Sequence, residues 1–220
     1  MGKQQAFTKM AGTGNDFIVF DNNTGHLSGK EHAFFREICR RRFSVGGDGV
    51  ILVRKRGLNL VEMKYFNSNG KEADMCGNGA RCAALFALSR EMVEDTTFIL
   101  RSRRREHEIN VDGKMVWVDL GPATGYQSHT TLALPSHLEE GGVISTGVPH
   151  YVVFTNDIDS VAVEKTAPPL RRNSFFPTGV NVNFVEIKGE NTISLRTYER
   201  GVEGETFSCG SGAAASALIA

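Results

Sequence analysis

The sequence contains no long apolar run and no excess of charge of either sign. No segment approaches the ~18 consecutive apolar residues that a membrane span requires, and the first ten residues lack the apolar core of a secretory signal. Basic and acidic residues balance at 25 each, so no overall charge favours nucleic acid or an anionic membrane as a partner. These absences lead us to expect a cytoplasmic protein that binds neither nucleic acid nor membranes.

Cysteine is scarce, and its spacing is not that of a metal site. The four cysteines form no Cys-x-x-Cys pair, and no histidine pair stands at zinc-finger spacing, so we expect no bound metal. Cys39 lies in an amphipathic helical pattern and Cys82 in a run of small residues, and we expect both to pack as small buried hydrophobic groups. The remaining two, Cys76 and Cys209, have a different setting.

Cys76 and Cys209 each begin the same short motif. Cys-Gly-Asn-Gly-Ala starts at Cys76 and Cys-Gly-Ser-Gly-Ala starts at Cys209, and each is followed by small, helix-forming residues. A glutamate stands four residues before each cysteine, at Glu72 and Glu205. The repetition indicates an internal duplication that places two cysteines in equivalent surroundings.

The motif predicts a reactive thiol at the beginning of a helix. The first N–H groups of a helix have no partner within it and form the positive end of its dipole. This setting favours a thiolate over a thiol. The glycines allow a ligand to approach the backbone, so the same N–H groups can hold a carboxylate. Two such sites suggest a single substrate carbon held between two sulfur atoms, for proton transfer or nucleophilic attack.

The remaining pattern predicts strands alternating with a few helices. We expect a helix over residues 28–43 with Ser28 as its N-cap, a hairpin at Asp112-Gly113, and a break at Pro168-Pro169. Gly12-Thr13-Gly14 has no third glycine and no following helix, so a dinucleotide-binding fold is a poor fit.

A glycine- and proline-containing stretch predicts the boundary between two halves of the chain. Gly121-Pro122-Ala123-Thr124-Gly125 interrupts the pattern, after which the order of elements repeats in outline. We expect one domain over residues 1–121 and a second over residues 122–220. The helix that begins near Gly210 has about ten residues and no C-cap, so we expect the second domain to be incomplete as given and the chain to be weakly stable or weakly active.

Eight motifs together closely resemble those of the diaminopimelate epimerase family, in order along the whole chain. They are Thr13-Gly14-Asn15-Asp16-Phe17, Gly46-Gly47-Asp48-Gly49, Phe66-Asn67-Ser68-Asn69-Gly70, Met75-Cys76-Gly77-Asn78-Gly79-Ala80-Arg81-Cys82, Gly147-Val148-Pro149-His150, Val180-Asn181, Tyr198-Glu199-Arg200-Gly201 and Cys209-Gly210-Ser211-Gly212. The resemblance implies a mixed α/β (α+β) fold of two pseudo-symmetric domains. Each is a curled, mostly antiparallel sheet around a central helix, and the active site lies in the cleft between them.

The resemblance also implies an activity. The family interconverts LL- and meso-2,6-diaminoheptanedioate in bacterial lysine and cell-wall synthesis, and it uses neither pyridoxal phosphate nor a metal. We therefore expect a small-molecule substrate, diaminopimelate, and no cofactor. We expect a homodimer as the assembled form.

Family roles carry over to positions of this sequence that match the motifs. Cys76 and Cys209 would be the two catalytic acid–base groups. The residues expected to bind substrate are Asn15, Asn67, Gly77, Asn78, Asn181, Glu199, Arg200, Gly210 and Ser211. Of these, Gly77, Asn78, Gly210 and Ser211 would hold the reacting carboxylate through backbone N–H groups, whereas Asn67, Asn181 and Arg200 would bind the distal end. His150 and Glu199 would tune or orient the thiols.

Two departures from the family and three alternatives remain open. Some members of the family carry glutamine where this chain has Gly49, a mild variation. The family commonly has asparagine at the position of Val148, where it helps to bind the distal end of the substrate. A related racemase or isomerase acting on proline or histidine is the nearest alternative, although the proline enzymes resemble Cys-Gly-His-Gly and Cys-Gly-Thr-Gly where this chain has Asn78 and Ser211. A thiol redox protein that forms a Cys76–Cys209 disulfide and an inactive fragment or binding module are the others.

Overall fold

Two sheets, each with its own pair of helices, organise the part of the chain that the structure describes. The computed structural model describes residues 5–128, 130 and 132–220. The chain divides into two compact units, the first ending at Asp119 and the second beginning at Leu120. The mixed α/β class expected from the sequence is confirmed.

The first unit is built on an eight-stranded sheet. The strands follow the spatial order β1-β2-β3-β4-β6-β7-β8, with β5 beside β4. The pairs β2/β3 and β4/β6 are parallel and the other pairs are antiparallel. Its elements are β1 (Thr8–Gly12), β2 (Asn15–Asp21), α1 (His32–Ile38), β3 (Gly49–Gly57), β4 (Leu60–Asn67), β5 (Glu72–Ala73), α2 (Gly77–Ser89), β6 (Thr97–Arg101), β7 (Glu106–Asp112) and β8 (Met115–Val118).

Both faces of the first sheet are buried beneath a helix. Alternate residues of a strand point to opposite faces, so Phe17 and Val19 join the apolar cluster around α2, whereas Ile18 and Phe20 join the cluster that contains Phe35 of α1. Burial on both faces explains why β2 and β3 read as continuous apolar runs rather than alternating ones. Helix α2 is thereby fixed against the middle of the sheet.

The second unit repeats this plan with six strands. The order is β14-β13-β12-β11-β10-β9, and only β11 and β12 among these described strands pair in parallel. Its elements are β9 (Thr124–Gln127), β10 (Leu138–Ser145), β11 (Pro149–Thr155), α3 (Val163–Arg171), β12 (Asn181–Gly189), β13 (Thr192–Glu199), β14 (Gly204–Thr206) and α4 (Gly210–Ile219).

The two faces of the second sheet differ in polarity. Tyr151 and Val153 of β11 pack with Ala167 and Leu170 of α3 in an apolar cluster. The face beneath α4 instead carries buried polar side chains, among them Asn183, which lies against Gly212 of the helix. This polar face becomes important for the site described below.

Two predictions of local structure are wrong. The helix predicted over residues 28–43 covers only His32–Ile38, because the Glu31 carboxylate accepts hydrogen bonds from the N–H groups of Ser28 and Gly29 and holds that segment as a turn. The break predicted at Pro168-Pro169 lies inside α3. Burial of the apolar residues of α3 against the sheet outweighs the loss of two backbone donors there.

Among the described residues, the structure contains no helix that is both long enough and apolar enough to span a membrane.

The turn after β4 gives a test of local backbone strain. Gly70 has φ +79°, and a Cβ there would lie 2.1 Å from the His32 carbonyl oxygen. We expect Gly70→Ala to lower the free energy of unfolding by about 2 kcal/mol or more, because alanine must resolve both the clash and the left-handed backbone. The matched control is Gly189→Ala, where no heavy atom lies within 4 Å. Urea unfolding should show a change of less than about 0.5 kcal/mol for this control, and equal effects of the two substitutions would contradict the interpretation.

Candidate active site

Cys76 occupies the N-cap of α2, as its motif predicts. Its backbone is extended, with φ −137° and ψ 117°, and its Sγ accepts a hydrogen bond of 3.4 Å from the N–H of Gly79. The first intrahelical bond runs from the Ala80 N–H to the Cys76 carbonyl, so the N–H groups of Gly77 and Asn78 precede the hydrogen-bonded ladder. The sulfur therefore lies at the positive end of the helix dipole.

Asn78 connects the first turn of α2 to the turn between β1 and β2. The side chain is almost fully buried, and its amide donates to Asn15 Oδ1 at 2.7 Å. Its own oxygen accepts from the guanidinium of Arg81, which also donates to Thr13 Oγ1 at 2.9 Å. These bonds fix the beginning of the helix against the start of β2.

An ion network supports the same turn from the other side. Asn15 Nδ2 donates to Asp48 at 3.0 Å, and Arg41 bridges Asp48 and Asp16. Burial tends to raise the pKa of the Asp16 carboxyl, but hydrogen bonds from Arg41 and Lys9 outweigh burial and lower that pKa well below its usual range. The carboxylate thus stays ionised and continues to hold the turn that carries Asn15.

Asn67 is the last residue of β4 and lies at the end of the sheet where β2 and β3 begin. Gly49, the first residue of β3, pairs with Asn67, and Phe17 near the start of β2 also pairs with Gly49. The structure therefore places Asn15 and Asn67 on the strand ends beside the N-terminus of α2.

Cys209 occupies the N-cap of α4 in the second unit. Its backbone is also extended, with φ −126° and ψ 104°, and the first intrahelical bond runs from the Ala213 N–H to its carbonyl. Its Sγ lies 3.6 Å from Ser211 Oγ. The Ser211 carbonyl accepts a bond of 2.8 Å from Thr146 Oγ1, which secures the first turn.

His150 lies fully buried beneath that turn. Its Nε2 is 3.0 Å from Ser211 Oγ and its Nδ1 is 3.0 Å from the Asn183 amide nitrogen. Asn183 Oδ1 in turn accepts from Thr197 Oγ1 at 3.0 Å. Burial is the main cause that lowers the pKa of His150 to about 4, and the field of Arg200 acts in the same direction. The imidazole is therefore neutral near neutral pH.

Asn181, Glu199 and Arg200 meet at the start of β12 and the end of β13. Asn181 Oδ1 accepts the Arg200 N–H at 2.8 Å, and its amide donates to the Pro149 carbonyl at 3.2 Å. The Arg200 guanidinium donates to the Thr178 carbonyl at 3.2 Å. Glu199 accepts from Thr206 Oγ1 at 2.7 Å.

In each unit, therefore, the predicted site residues lie together at one end of the strands, near the N-terminus of the motif helix. Sequence reasoning missed four polar residues that support them, namely Asp48, Thr146, Asn183 and Thr197. Of these, Asn183 had a detectable signal, because Asn181 and Asn183 alternate on one face of an otherwise apolar strand. A buried asparagine in such a strand requires hydrogen-bond partners.

The other two cysteines are buried, as predicted. Burial raises the pKa of both the Cys39 thiol and the Cys82 thiol to about 11. Neither is a candidate nucleophile. Among the described residues, no group of three or more His, Cys, Asp or Glu side chains is arranged to hold a metal ion.

Comparison with solved structures defines the class of fold. A phenazine biosynthesis protein of the PhzF family from Enterococcus faecalis has a TM-score of 0.65 at 14% sequence identity, covering 97% of this chain and 80% of that chain. At this identity the likeness concerns the fold alone. The chain therefore has the architecture of the PhzF and epimerase-like proteins.

Sequence comparison then identifies the family. The family model for diaminopimelate epimerase matches residues 7–125 and 142–220. The diaminopimelate epimerase of Methanocella arvoryzae is 42% identical over 97% of this chain and 81% of its own length, and that of Aquifex aeolicus is 40% identical over 97% of this chain and 80% of its own. The chain belongs to the diaminopimelate epimerase family, whose members are isomerases. The resemblance seen in the motifs is confirmed.

The low pKa of His150 makes stability depend on pH in a defined window. The unfolded histidine binds a proton near pH 6.5, whereas the folded one resists protonation until about pH 4. Protons therefore favour the unfolded state as pH falls through this range, and stability is undiminished above it. Between pH 7 and pH 5 we expect this histidine to reduce the free energy of unfolding by about 2 kcal/mol.

Urea unfolding of the parent and of His150→Gln, followed by circular dichroism, tests this expectation. The carboxylates contribute equally to both proteins, so the difference between their pH dependences isolates the histidine. Identical pH dependences would show that His150 is not held neutral by burial.

Proposed function

We propose that this chain epimerises LL-2,6-diaminoheptanedioate to the meso form by proton transfer through Cys76 and Cys209, and so supplies precursors of lysine and peptidoglycan in bacteria. The observation that carries the proposal is the N-cap position of both cysteines, each with extended backbone and a glycine-containing first turn, at matching places in the two units. Membership in the diaminopimelate epimerase family supports the choice of substrate.

The surroundings of the two thiols suit reversible proton transfer. A thiolate at a helix N-terminus is stabilised by the dipole and by the first N–H groups, as the Gly79-to-Cys76 bond illustrates. A thiol close to its titration point can give or take a proton with little change in free energy. Cys39 and Cys82, buried among apolar groups, lack these surroundings.

The reaction requires one base and one acid on opposite faces of the same carbon. One cysteine, as thiolate, removes the α-proton, and the other, as thiol, delivers a proton from the opposite side. After turnover the first cysteine is a thiol and the second a thiolate, so the enzyme is ready for the reverse reaction. The roles exchange with the configuration of the substrate.

Stabilising the carbanion is the main chemical difficulty, because the α-proton of an amino acid is weakly acidic. We assign this task to the backbone N–H groups of Gly77, Asn78, Gly210 and Ser211, which precede the hydrogen-bonded ladders of α2 and α4. Fixed donors directed at a carboxylate stabilise the charge that develops in the transition state without reorganisation. Such preorganised stabilisation is commonly the largest contribution to catalysis.

The distal end of the substrate carries a second ammonium and a second carboxylate. We assign their recognition to Asn67, Asn181 and Arg200. Asn181 already holds Arg200 through the backbone N–H, and a guanidinium can pair with a carboxylate through two parallel bonds. Asn15 and Glu199 bind near the reacting carbon, and His150 and Glu199 tune the thiols.

Replacement of either cysteine gives the direct test. We expect Cys76→Ala and Cys209→Ala each to lower kcat for epimerisation by about 10³-fold, the size expected for loss of a general acid or base. In deuterium oxide, the parent should introduce one solvent deuterium at the inverted carbon. The matched control is Cys82→Ala on the same helix as Cys76, which should retain activity.

Two results would overturn the proposal. Full activity of Cys76→Ala would exclude the two-base mechanism. Incorporation of deuterium into proline or histidine, but not into diaminopimelate, would instead favour a related racemase.

Val148 generates a prediction about substrate affinity. Val148 and Asn15 occupy corresponding positions in the two units. Asn15 lies two residues before Phe17, where the parallel pairing of β2 with β3 begins, and Val148 lies two residues before His150, where the parallel pairing of β11 with β12 begins. The Val148 side chain offers no hydrogen bond. We expect Val148→Asn to lower KM for diaminopimelate about fivefold with little change in kcat, the effect of one added hydrogen bond. Steady-state kinetics should show no such gain for the apolar control Val148→Leu, and a gain for both would contradict the hydrogen-bond explanation.

A further inference from the structure

The registers of the two sheets identify equivalent positions in the two units. In the first unit, β2 pairs in parallel with β3 and β3 pairs with β4, so that Val19, Ile51 and Tyr65 form one row. In the second unit, β11 pairs in parallel with β12 and β12 pairs with β13, so that Val152, Asn183 and Thr197 form the matching row. The residues two positions before each first member, Phe17 and His150, are equivalent in the same way.

At two of these equivalent positions the first unit has an apolar residue, Phe17 or Ile51, where the second has a polar one, His150 or Asn183; at the third, Tyr65 and Thr197 both carry a hydroxyl group. Phe17, Ile51 and Tyr65 belong to the apolar core beneath α2. His150, Asn183 and Thr197 are just as inaccessible, with relative exposures of 0%, 0% and 2%. Burial of polar groups is costly unless each of them finds a hydrogen-bond partner, and the first unit shows that this fold packs well without a buried histidine or asparagine at these positions. The polar set therefore calls for an explanation in function rather than in packing.

The direction of the hydrogen bonds follows from one backbone carbonyl. The Asn183 atom that faces His150 Nδ1 is also 3.4 Å from the Tyr151 carbonyl oxygen, which can only accept. That atom must be the amide nitrogen, and Thr197 Oγ1 accordingly donates to the amide oxygen on the other side. Since the amide nitrogen can only donate, His150 Nδ1 is the acceptor and carries no proton.

The rest of the chain of bonds is then determined. The neutral imidazole carries its proton on Nε2 and donates it to Ser211 Oγ at 3.0 Å. With its oxygen accepting from the ring, the Ser211 hydroxyl can direct its own hydrogen to Cys209 Sγ, which lies 3.6 Å away. A thiolate at Cys209 thus accepts a hydrogen bond from the Ser211 hydroxyl. Asn183 sets the direction of that bond through two intervening side chains, those of His150 and Ser211.

We propose that Asn183 is a positioning residue for Cys209: it holds His150 in the Nε2-protonated tautomer, so that the Ser211 hydroxyl donates to the Cys209 sulfur. We call this chain of hydrogen bonds, from Asn183 through His150 and Ser211 to Cys209, the relay. The first unit has no such relay at the equivalent positions, where Phe17 and Ile51 have apolar side chains and Gly79 lies against Ile51. The two thiols are therefore supported differently.

Two other features keep the relay in place. A Cβ at residue 212 would lie 2.5 Å from Asn183 Oδ1, so Gly212 is needed for the helix to approach the asparagine this closely. Arg200 is the charged group whose field reaches His150, and it disfavours the imidazolium. The nearby carboxylates are engaged elsewhere, Glu199 by Thr206 and Glu205 by Arg196.

The test uses Asn183→Asp, a change of nearly equal size that reverses the hydrogen-bond preference. A carboxylate can only accept a hydrogen bond, so it favours the tautomer of His150 that carries its proton on Nδ1. Nε2 should then become an acceptor for the Ser211 hydroxyl. Selective ¹⁵N labelling of the six histidines, with His150 assigned by its loss in His150→Gln, reports the tautomer by NMR. We expect protonated Nε2 in the parent and protonated Nδ1 in the variant.

Alkylation of the individual cysteines measures the consequence. Iodoacetamide reacts with the thiolate, and mass spectrometry of the digested protein reports each cysteine separately. We expect Asn183→Asp to slow alkylation of Cys209 about tenfold at neutral pH, equivalent to a shift of about one pH unit in its midpoint. Cys76 serves as the internal control and should change less than twofold.

Two further variants separate the relay from other causes. In a Ser211→Ala background, Asn183→Asp should have no additional effect on Cys209, because the bridge is already missing. An undiminished effect there would show that the new carboxylate acts through its field and would overturn the proposal, as would a parent His150 protonated on Nδ1.

If circular dichroism shows that Asn183→Asp does not fold, Asn183→Leu, which resembles Ile51 of the first unit, should also slow alkylation of Cys209 without adding charge. Unchanged alkylation in that variant would likewise overturn the proposal.

The inference rests on the proposed function for the importance of Cys209, but its test needs no substrate. Failure to epimerise diaminopimelate would count against the proposed function and leave the alkylation result unaffected. Unchanged tautomer and alkylation would count against the relay alone.

Discussion

In both units the position of the motif cysteine depends on hydrogen bonds that hold the N-terminus of a helix against the start of a central strand. In the first unit the Asn78 amide bonds to Asn15, and in the second Ser211 bonds to His150. Without these bonds, a helix packed by small apolar residues could slide along the sheet, and its capping cysteine would lose a defined position. The apolar core provides most of the stability, but these polar contacts determine where the thiols are.

The duplication is one of topology more than of chemistry. Each unit places a parallel pair of strands beneath the helix that bears the motif, and a second helix covers the opposite face. The rows beneath the motif helices nevertheless differ, being apolar around Ile51 and hydrogen-bonded around Asn183. A similar backbone can therefore support two thiols whose surroundings differ in polarity.

The capping cysteines could be predicted because they depend on a local signal, whereas the fold class followed from the resemblance to a known family. Glycine spacing and small residues after Cys76 and Cys209 indicate a helix start wherever they occur. The extent of α1 was mispredicted because the Glu31 carboxylate binds the nearby N–H groups of Ser28 and Gly29, a local alternative to the helix. The presence of α3 was missed because it depends on a tertiary contact, burial against the sheet. The support of the site by Asn183 was missed for a related reason, since strand register decides which side chains meet.

The long stretches of chain between these bonded partners affect when the capping positions of the two cysteines form. Asn15 and Asn78 are separated by 63 residues, and His150 and Ser211 by 61. Contacts so distant in sequence form only when most of a unit has folded. During synthesis or partial unfolding, the bonds that hold Cys76 and Cys209 at their capping positions are consequently absent. The arrangement proposed for proton transfer is therefore a late product of folding, since it forms only after the central strands have paired.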